Sequence, residues 1–363
     1  MPSVLSRTEN DNDTAWDQFV AGSPYGHLLQ SSTWGAFKSA HGWQARRLVV
    51  HEHGQIVAGA QILLRRLRAG TVAYIPRGPV LAPGDTTRLA TLLAEVHRVA
   101  RGQGAIFLKV EPPWEDDPGL TTWLESLGFR PGQTVQPRST ICLDLAPALD
   151  DILAQMKSKW RYNIRLATRK EVQVRAATEA DLPAFYSLLQ VTGQRDGFAI
   201  HDAGYYADAW QRFVPVGQGE LFLATYQNEL LAGIMVFALG RTAIYMYGAS
   251  SDRERFRMPN HLLQWTAIQW AKARGCTVYD FWGIPDQVQG AQGQDPKEGD
   301  YQTGSPTTSA DESERGLWGV WRFKQGFGGR VVRFAGAFDY VYRPTLYWLG
   351  MRLLPRLRRR GLL

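Results

Sequence analysis

Lys324 stands in the run WRFKQGFGG, residues 321–329, with Phe323 and Phe327 flanking it and a pair of glycines after it. An ammonium held among aromatic rings is partly desolvated and fixed in place, which is how a chain positions a cation for chemistry. Lys324 also reads as an ordinary lysine on the last turn of a helix, where its charge complements the helix dipole. A second set of cations, Lys157, Lys159, Arg161, Arg165, Arg169 and Lys170, lies within residues 151–175 and forms either a solvated helix face or a phosphate-binding surface. The formal charge of +7, from 41 basic and 34 acidic residues, favours an anionic partner without naming it. No Walker-type loop, dinucleotide fingerprint or spaced Cys/His set is present, so nucleoside triphosphate hydrolysis, hydride transfer and zinc chemistry have no support. Neither a metal nor a cofactor is expected.

The elements that must position these cations repeat. A chain of 363 residues, 44% hydrophobic, is long enough for two cores. GQIVAGAQILLRR (54–66) matches NELLAGIMVFALG (228–240), and each is followed by a tyrosine-bearing strand, TVAYIPRG and TAIYMYGAS. His53-Gly54 and Gln227-Asn228 read as hairpin turns. In both halves the hairpin and its third strand lead to helix, strand, helix, strand. The duplication implies two tandem α/β (α+β) domains in the order of the acetyltransferase-like (GNAT) fold. The first is expected over 1–150, completed by about 335–363, and the second over 151–334. A helix over Leu317–Phe327 carries Lys324, Gly328-Gly329 caps it, and a mobile loop is expected over 285–315. Neither PRGPVLAPGDTTR nor SSDRERFRMPNHL supplies the glycine spacing that grips the pyrophosphate of acetyl-CoA, which disfavours that donor. Cys142 and Cys276 sit in apolar strand-like runs and read as buried free thiols, the N-terminus has no apolar leader, and no apolar run has membrane-spanning length. These features fit a cytoplasmic protein. The segment RPTLYWLGMRLLPRLRRRGLL, with five arginines after Gly350, is a basic amphipathic helix that either lies on the inner face of an anionic membrane or packs on the adjacent domain.

SPYGHLLQSSTWGAFK, IPRGPV, KSKWRYNIRLA, YMYGAS, the helix PNHLLQW leading to YDFWGI, and WRFKQGFGG span nearly the whole chain, and together they resemble the FemABX peptidoglycan-bridge aminoacyltransferases. The resemblance implies transfer of an amino acid from aminoacyl-tRNA, as co-substrate, to the side-chain amine at the third position of the peptidoglycan stem peptide. The acceptor would be lipid II or UDP-MurNAc-pentapeptide, and the protein a monomer. By position, Lys324 matches the lysine that such enzymes set against the reacting ester, with Phe323 beside it. A fixed cation at the oxyanion contributes on the order of 2.7 to 4 kcal/mol. Lys38 matches a lysine on the acceptor's phosphates, with Trp34 on the same helix, Tyr205 and Tyr247 match tyrosines along the acceptor channel, and Tyr74 is expected among the substrate-binding residues. Glu111 sits where relatives carry an acid that orients the amine or takes its proton. Four residues before Tyr205 this chain has His201 in place of a family arginine, so that phosphate contact is either weaker or moved to Arg195 or Arg161, and a histidine there would make binding pH-sensitive near neutrality. The long helical arm of some relatives is missing, so tRNA is expected on the globular surface at Lys157, Lys159, Arg161 and Arg165. Two rival readings stay open: a GNAT-like N-acyltransferase acting on another envelope polymer or precursor, and a non-catalytic precursor-binding protein.

Overall fold

A computed structural model of the chain describes residues 3–8, 13–286 and 318–358, with side chains from 13 to 286 and from 318 to 351. The expected loop at 285–315 lies outside the described residues from 287 onward. The chain divides into two units, one of Met1–Gln136, Leu239–Arg241 and Phe334–Leu363, the other of Pro137–Ala238 and Thr242–Arg333.

The first stretch runs β1 (Ser3–Thr8), α1 (Thr14–Gly22), α2 (Ser32–Ala40), β2 (Gln44–Glu52), β3 (Gln55–Leu67), β4 (Gly70–Pro76), α3 (Thr86–Gly102), β5 (Ala105–Glu111), α4 (Pro118–Ser126) and β6 (Arg130–Gly132). Next come β7 (Ser139–Asp144), α5 (Leu149–Gln155), α6 (Ser158–Arg169), β8 (Gln173–Ala176), α7 (Leu182–Asp196), α8 (Ala203–Phe213), β9 (Gly219–Tyr226), β10 (Glu229–Leu239), β11 (Thr242–Ser250), α9 (Pro259–Ala273) and β12 (Val278–Ile284). Residues 318–325 are helical (α10), and β13 (Arg330–Arg333), β14 (Ala337–Val341) and α11 (Pro344–Arg358) follow.

Local chemistry explains the repeat. The turns His53-Gly54 and Gln227-Asn228 all have positive φ, 51° and 80° in one and 48° and 66° in the other, the geometry whose twist suits a two-residue hairpin. The Ala-Gly pair shared by β3 and β10 does the same packing in each unit. A Cβ on Gly59 would come within 2.5 Å of the Trp16 ring of α1, and one on Gly233 within 2.8 Å of the Phe185 ring of α7. Each glycine lets an aromatic ring from the helix that follows the edge strand pack closely on the sheet. α3 is a second example of local coding: Asp85 caps it through Arg88 N, and Leu89, Leu92, Leu93, Val96 and Val99 bury one stripe against the first sheet.

The sheet orders are β1-β2-β3-β4-β5-β14-β6 and β8-β9-β10-β11-β12-β7-β13. Position by position the two are the same, with one parallel pair, β4·β5 or β11·β12, in the middle of antiparallel neighbours. The sixth place in each sheet is filled from the other half of the sequence. β7, which the sequence places in the first domain, pairs with β12 on one side and β13 on the other, while β14 enters between β5 and β6. The chain therefore changes unit after Gln136 and not at residue 150. β1, β6 and β8 are three to six residues long and lie outside the strands expected from the sequence. α8 ends at Phe213 and β9 begins at Gly219, so among the described residues no long helical arm interrupts the second unit.

Buried charge fastens the late strand. Asp339 of β14 is fully buried, pairs with Lys109 of β5 at 2.7 Å and accepts from the Tyr347 hydroxyl of α11 at 2.8 Å. Lys109 also donates to the Gln133 carbonyl at 2.7 Å, and a Cβ on Gly132 would fall 2.6 Å from the Asp339 carboxylate. Removing one partner of such a pair leaves the other charge buried alone. Asp339→Ala should lose on the order of 3–5 kcal/mol in urea unfolding, and an unchanged midpoint would show that the pair does not hold β14.

Candidate active site

The two sheets differ where the parallel strands meet. β4 and β5 stay paired to their ends, Pro76 opposite Glu111. β11 and β12 pair only from Thr242 opposite Val278 to Ile244 opposite Asp280, although β11 continues to Ser250. Just past that point β12 bulges, its register against β7 shifting between Asp280 and Gly283, and Trp282 takes φ of 62°. A bulge frees backbone groups from the ladder and re-aims them. Left-handed backbone at a bulky residue costs about 1–3 kcal/mol. Asp280 holds the kink by accepting from Trp282 N at 2.7 Å, and it also accepts from the Thr140 hydroxyl of β7.

Lys324 fills this opening. Its residue exposure is 6%, and Nζ donates to Gly283 O at 2.7 Å and Trp282 O at 3.3 Å. Two carbonyls use two of the ammonium's three N–H groups. The ring facing the amine is that of Tyr245, 5.6 Å from its centroid, the first β11 residue beyond the last paired one. Phe323 and Phe327, expected to cradle the ammonium, instead pack against each other and against His261. Burial pulls the Lys324 pKa down to about 7, and the Asp280 carboxylate opposes that fall.

α10 is held at its C-terminal end by α6. Trp160 Nε1 donates to Phe323 O at 2.9 Å, Lys157 N donates to Gly326 O at 3.0 Å, and a Cβ on Gly326 would land 2.0 Å from the Trp160 ring. The last carbonyls of a helix need such partners. Gly328 and Gly329 both have φ of 90° and end the helix as the pattern predicted. Asp280, Trp282, Tyr245 and Trp160 are the members of this site that the sequence reading left without a role. An acid inside the apolar strand VYDFWGI was the available signal for Asp280.

Tyr205 and Tyr247 come together in the second unit, with hydrogen-bonded hydroxyls and ring centroids 6.5 Å apart. Burial raises both pKa values, that of Tyr205 to about 12. His201 stacks on Tyr205 at 3.7 Å. Arg195 donates to Asp196, Asp252 and Ser250 O, which makes it a clamp at the end of β11. Of the basic helix, Lys159 and Arg165 point outward. Arg161 folds back onto the carbonyls of Ala154 and Met156, and Lys157 lies beside Gln325.

The remaining predicted residues belong to the first unit. Lys38 lies 5.9 Å from the Trp34 ring and 5.8 Å from that of Phe37. Burial lowers its pKa to about 8, and the Arg65 guanidinium lowers it further. Arg65 sits over Trp43, whose ring neighbours Tyr74. Glu111 is not poised to take a proton: one oxygen accepts from Val135 N at 2.6 Å and Gln136 N at 3.1 Å, and the other binds the Tyr74 hydroxyl. It ties the segment after β6 to the closed end of β4 and β5. Cys276 is buried and Cys142 partly so, and among the described residues no group of three or more His, Cys, Asp or Glu is placed to hold a metal ion.

Two GNAT-like sheets, one closed and one opened around a buried lysine, define a tandem GNAT-type protein. A profile of the FemAB family matches residues 12–117, 121–227 and 216–353, and the chain belongs to that family. The second and third matched segments overlap over residues 216–227. The chain is 27% identical to the lipid II:glycine glycyltransferase of Staphylococcus saprophyticus over 421 positions, covering 96% of each chain, and 27% identical to that of Staphylococcus aureus strain MRSA252 over 420 positions, covering 94% of each. The crystal structure of FemX superposes with a TM-score of 0.80 at 24% identity, covering 95% of this chain and 99% of FemX. A tandem GNAT protein from the clavulanic acid biosynthesis pathway superposes at 0.54 with 13% identity, covering 93% and 98%. Both likenesses are of fold.

The depressed pKa of Lys324 predicts a pH signature. An unfolded lysine titrates near 10.5 and the folded one near 7, so between those values the unfolded chain carries a proton that the folded chain lacks. Stability therefore rises with pH across that window, and the cost of burying the charged form is fully present below pH 7. Lys324→Met should flatten the rise and, near pH 6, unfold at higher denaturant than the parent. Parallel pH–stability curves for the two proteins would contradict a buried, neutralisable amine.

Proposed function

We propose that this protein transfers an amino acid from aminoacyl-tRNA to the side-chain amine of the peptidoglycan stem peptide, on lipid II or UDP-MurNAc-pentapeptide. The carrying observation is the Lys324 ammonium, fixed by two carbonyls at the only opened parallel pair among the described strands, with one N–H that has no acceptor among the described residues. The names of the staphylococcal relatives support both the class of reaction and the lipid-linked acceptor. Carriage of the donor by tRNA rests on the resemblance of the motifs.

In the reaction the acceptor amine, neutral after losing its proton, attacks the ester carbonyl carbon. The C=O electron pair moves onto oxygen, and the remaining Lys324 N–H donates to that oxyanion. Collapse of the tetrahedral carbon restores C=O and breaks its bond to the ribose oxygen, which leaves with the proton that the attacking nitrogen gives up as the amide forms. The ammonium is useful because the site is dry, and burial also sets its limit: above about pH 7 it loses the charge. Lys38 and Arg65, two neighbouring cations, suit an acceptor pyrophosphate, whose binding would restore the proton affinity that Lys38 has lost. The C-terminal helix, which exposes Trp348 and Leu349, would rest on the inner membrane face where a lipid-linked acceptor resides. Among the described residues no helix is long and apolar enough to cross a membrane. The enzyme would act as a monomer.

Purified protein, charged tRNA and muramyl-pentapeptide should yield a branched peptide, detected by mass spectrometry. Lys324→Ala should lower kcat at least tenfold while the circular dichroism stays unchanged, and the parent's kcat should decline above pH 7 as the amine deprotonates. Full turnover by Lys324→Ala would remove the lysine from the reaction. Lys38→Gln should raise KM for the nucleotide-linked acceptor about tenfold and leave kcat close to the parent value, since charge-assisted hydrogen bonds contribute about 1.5–3 kcal/mol. Loss of kcat alone would place Lys38 elsewhere in the mechanism.

A further inference from the structure

The face of α6 turned away from Trp160 carries Tyr162, Arg165 and Arg169, which fall at three- and four-residue steps along one stripe of about 10 Å. Tyr162 is 54% exposed. The stripe continues beyond the helix: Arg169 lies over the Tyr162 ring at 5.4 Å, Lys170 follows it, and the Lys170 amine lies 5.9 Å from the ring of Phe256, which is 55% exposed. Ring, cation, cation and ring thus succeed one another across the surface.

Phe256 is held out in water at a cost. It is the middle residue of a tight turn, Arg255–Arg257, bounded by Glu254 at φ of 51° and Met258 at φ of 57°, neither of them glycine. Two left-handed residues cost about 1–3 kcal/mol each and persist only where neighbours impose them. Arg257 imposes them here. It pairs with Glu254, donates to Lys170 O at 2.9 Å and lies 3.4 Å over Tyr226, tying the turn to the end of α6. Of the nearby acids, Glu254 is neutralised by Arg257, and Glu171 follows Lys170 in its own left-handed turn.

We propose that Tyr162 and Phe256 are stacking platforms for unpaired bases of a single-stranded RNA end, whose phosphates run along Arg165, Arg169 and Lys170. Exposed rings alternating with cations fit single-stranded nucleic acid, since every base offers a π-face and every linkage a negative charge. A lipid surface fits less well, because two rings on a polar stripe offer little to insert. This surface deepens the transferase reading, on which the identity of the RNA as the donor's 3′ end rests. α6 is the connecting element, with Trp160 holding the Lys324 turn on one face and the stripe on the other.

The test uses the full chain, an RNA hairpin with an unpaired four-nucleotide 3′ overhang, and the same hairpin blunt-ended. The parent should prefer the overhang. Tyr162→Ala/Phe256→Ala should bind it at least tenfold more weakly, with the slope of log K against log salt unchanged. Arg169→Gln/Lys170→Gln should flatten that slope by roughly one to two. Parent-like overhang binding by the double alanine variant overturns the platform, and so does loss confined to phosphatidylglycerol vesicles, which would assign the face to a membrane. If the parent prefers the overhang through these rings yet forms no branched peptide, the transferase reading fails and the platform stands. If the parent transfers and the double variant keeps its kcat/KM with charged tRNA, the platform alone fails.

Discussion

An ammonium removed from water has to be solvated by something else, and around Lys324 that solvent is the backbone of a broken strand. The carbonyls of Trp282 and Gly283 are available because β12 leaves its parallel neighbour after Asp280 and kinks through a left-handed tryptophan. Asp280 has two jobs in this arrangement, since it holds the kink through Trp282 N and its charge opposes the desolvation of the lysine. The bulge, the acid and the docking of Trp160 under α10 are parts of one device for keeping a cation where water cannot.

The duplicated architecture makes the comparison internal. Both sheets have the same strand order, the same left-handed hairpin turn and the same glycine beneath an aromatic ring. They part at the central parallel pair. In the first unit Glu111 closes it, drawing Tyr74 and the backbone of residues 135 and 136 together, so the residue that looked like a catalytic acid is a fastener. In the second unit the pair splits and admits a lysine. One copy has a structural seam where the other has a buried lysine.

Much of this was legible in the residues. The repeat of Ala-Gly and of the hairpin turns exposed the two-unit plan, and the Gly328-Gly329 pair marked the end of the lysine helix. The exchange of β7 and β14 was legible only in part, because a short, largely buried strand fits either sheet equally well and local pattern carries no record of its partner. The surroundings of Lys324 were misjudged for a related reason. Phe323 and Phe327 are its neighbours in sequence, whereas the ring it meets, Tyr245, and the carbonyls it binds come from β11 and β12. Arg161 and Arg195 show the same limit: basic composition identified them as candidates, but Arg161 turns its Nη1 to carbonyls of its own segment and Arg195 is paired with Asp196 and Asp252.

The exchanged strands also have a consequence in time. Between Gly132, which ends β6, and Ala337, which begins β14, the ribosome must add more than two hundred residues, an interval on the order of ten to forty seconds at ordinary elongation rates. Throughout it β5 has an unfilled edge beside the place reserved for its partner, and the buried ammonium of Lys109 has no counter-ion. The nascent first sheet is thus a half-built surface with a sticky margin, and production of the protein in cells should depend on whatever shields that margin until the closing strand is made.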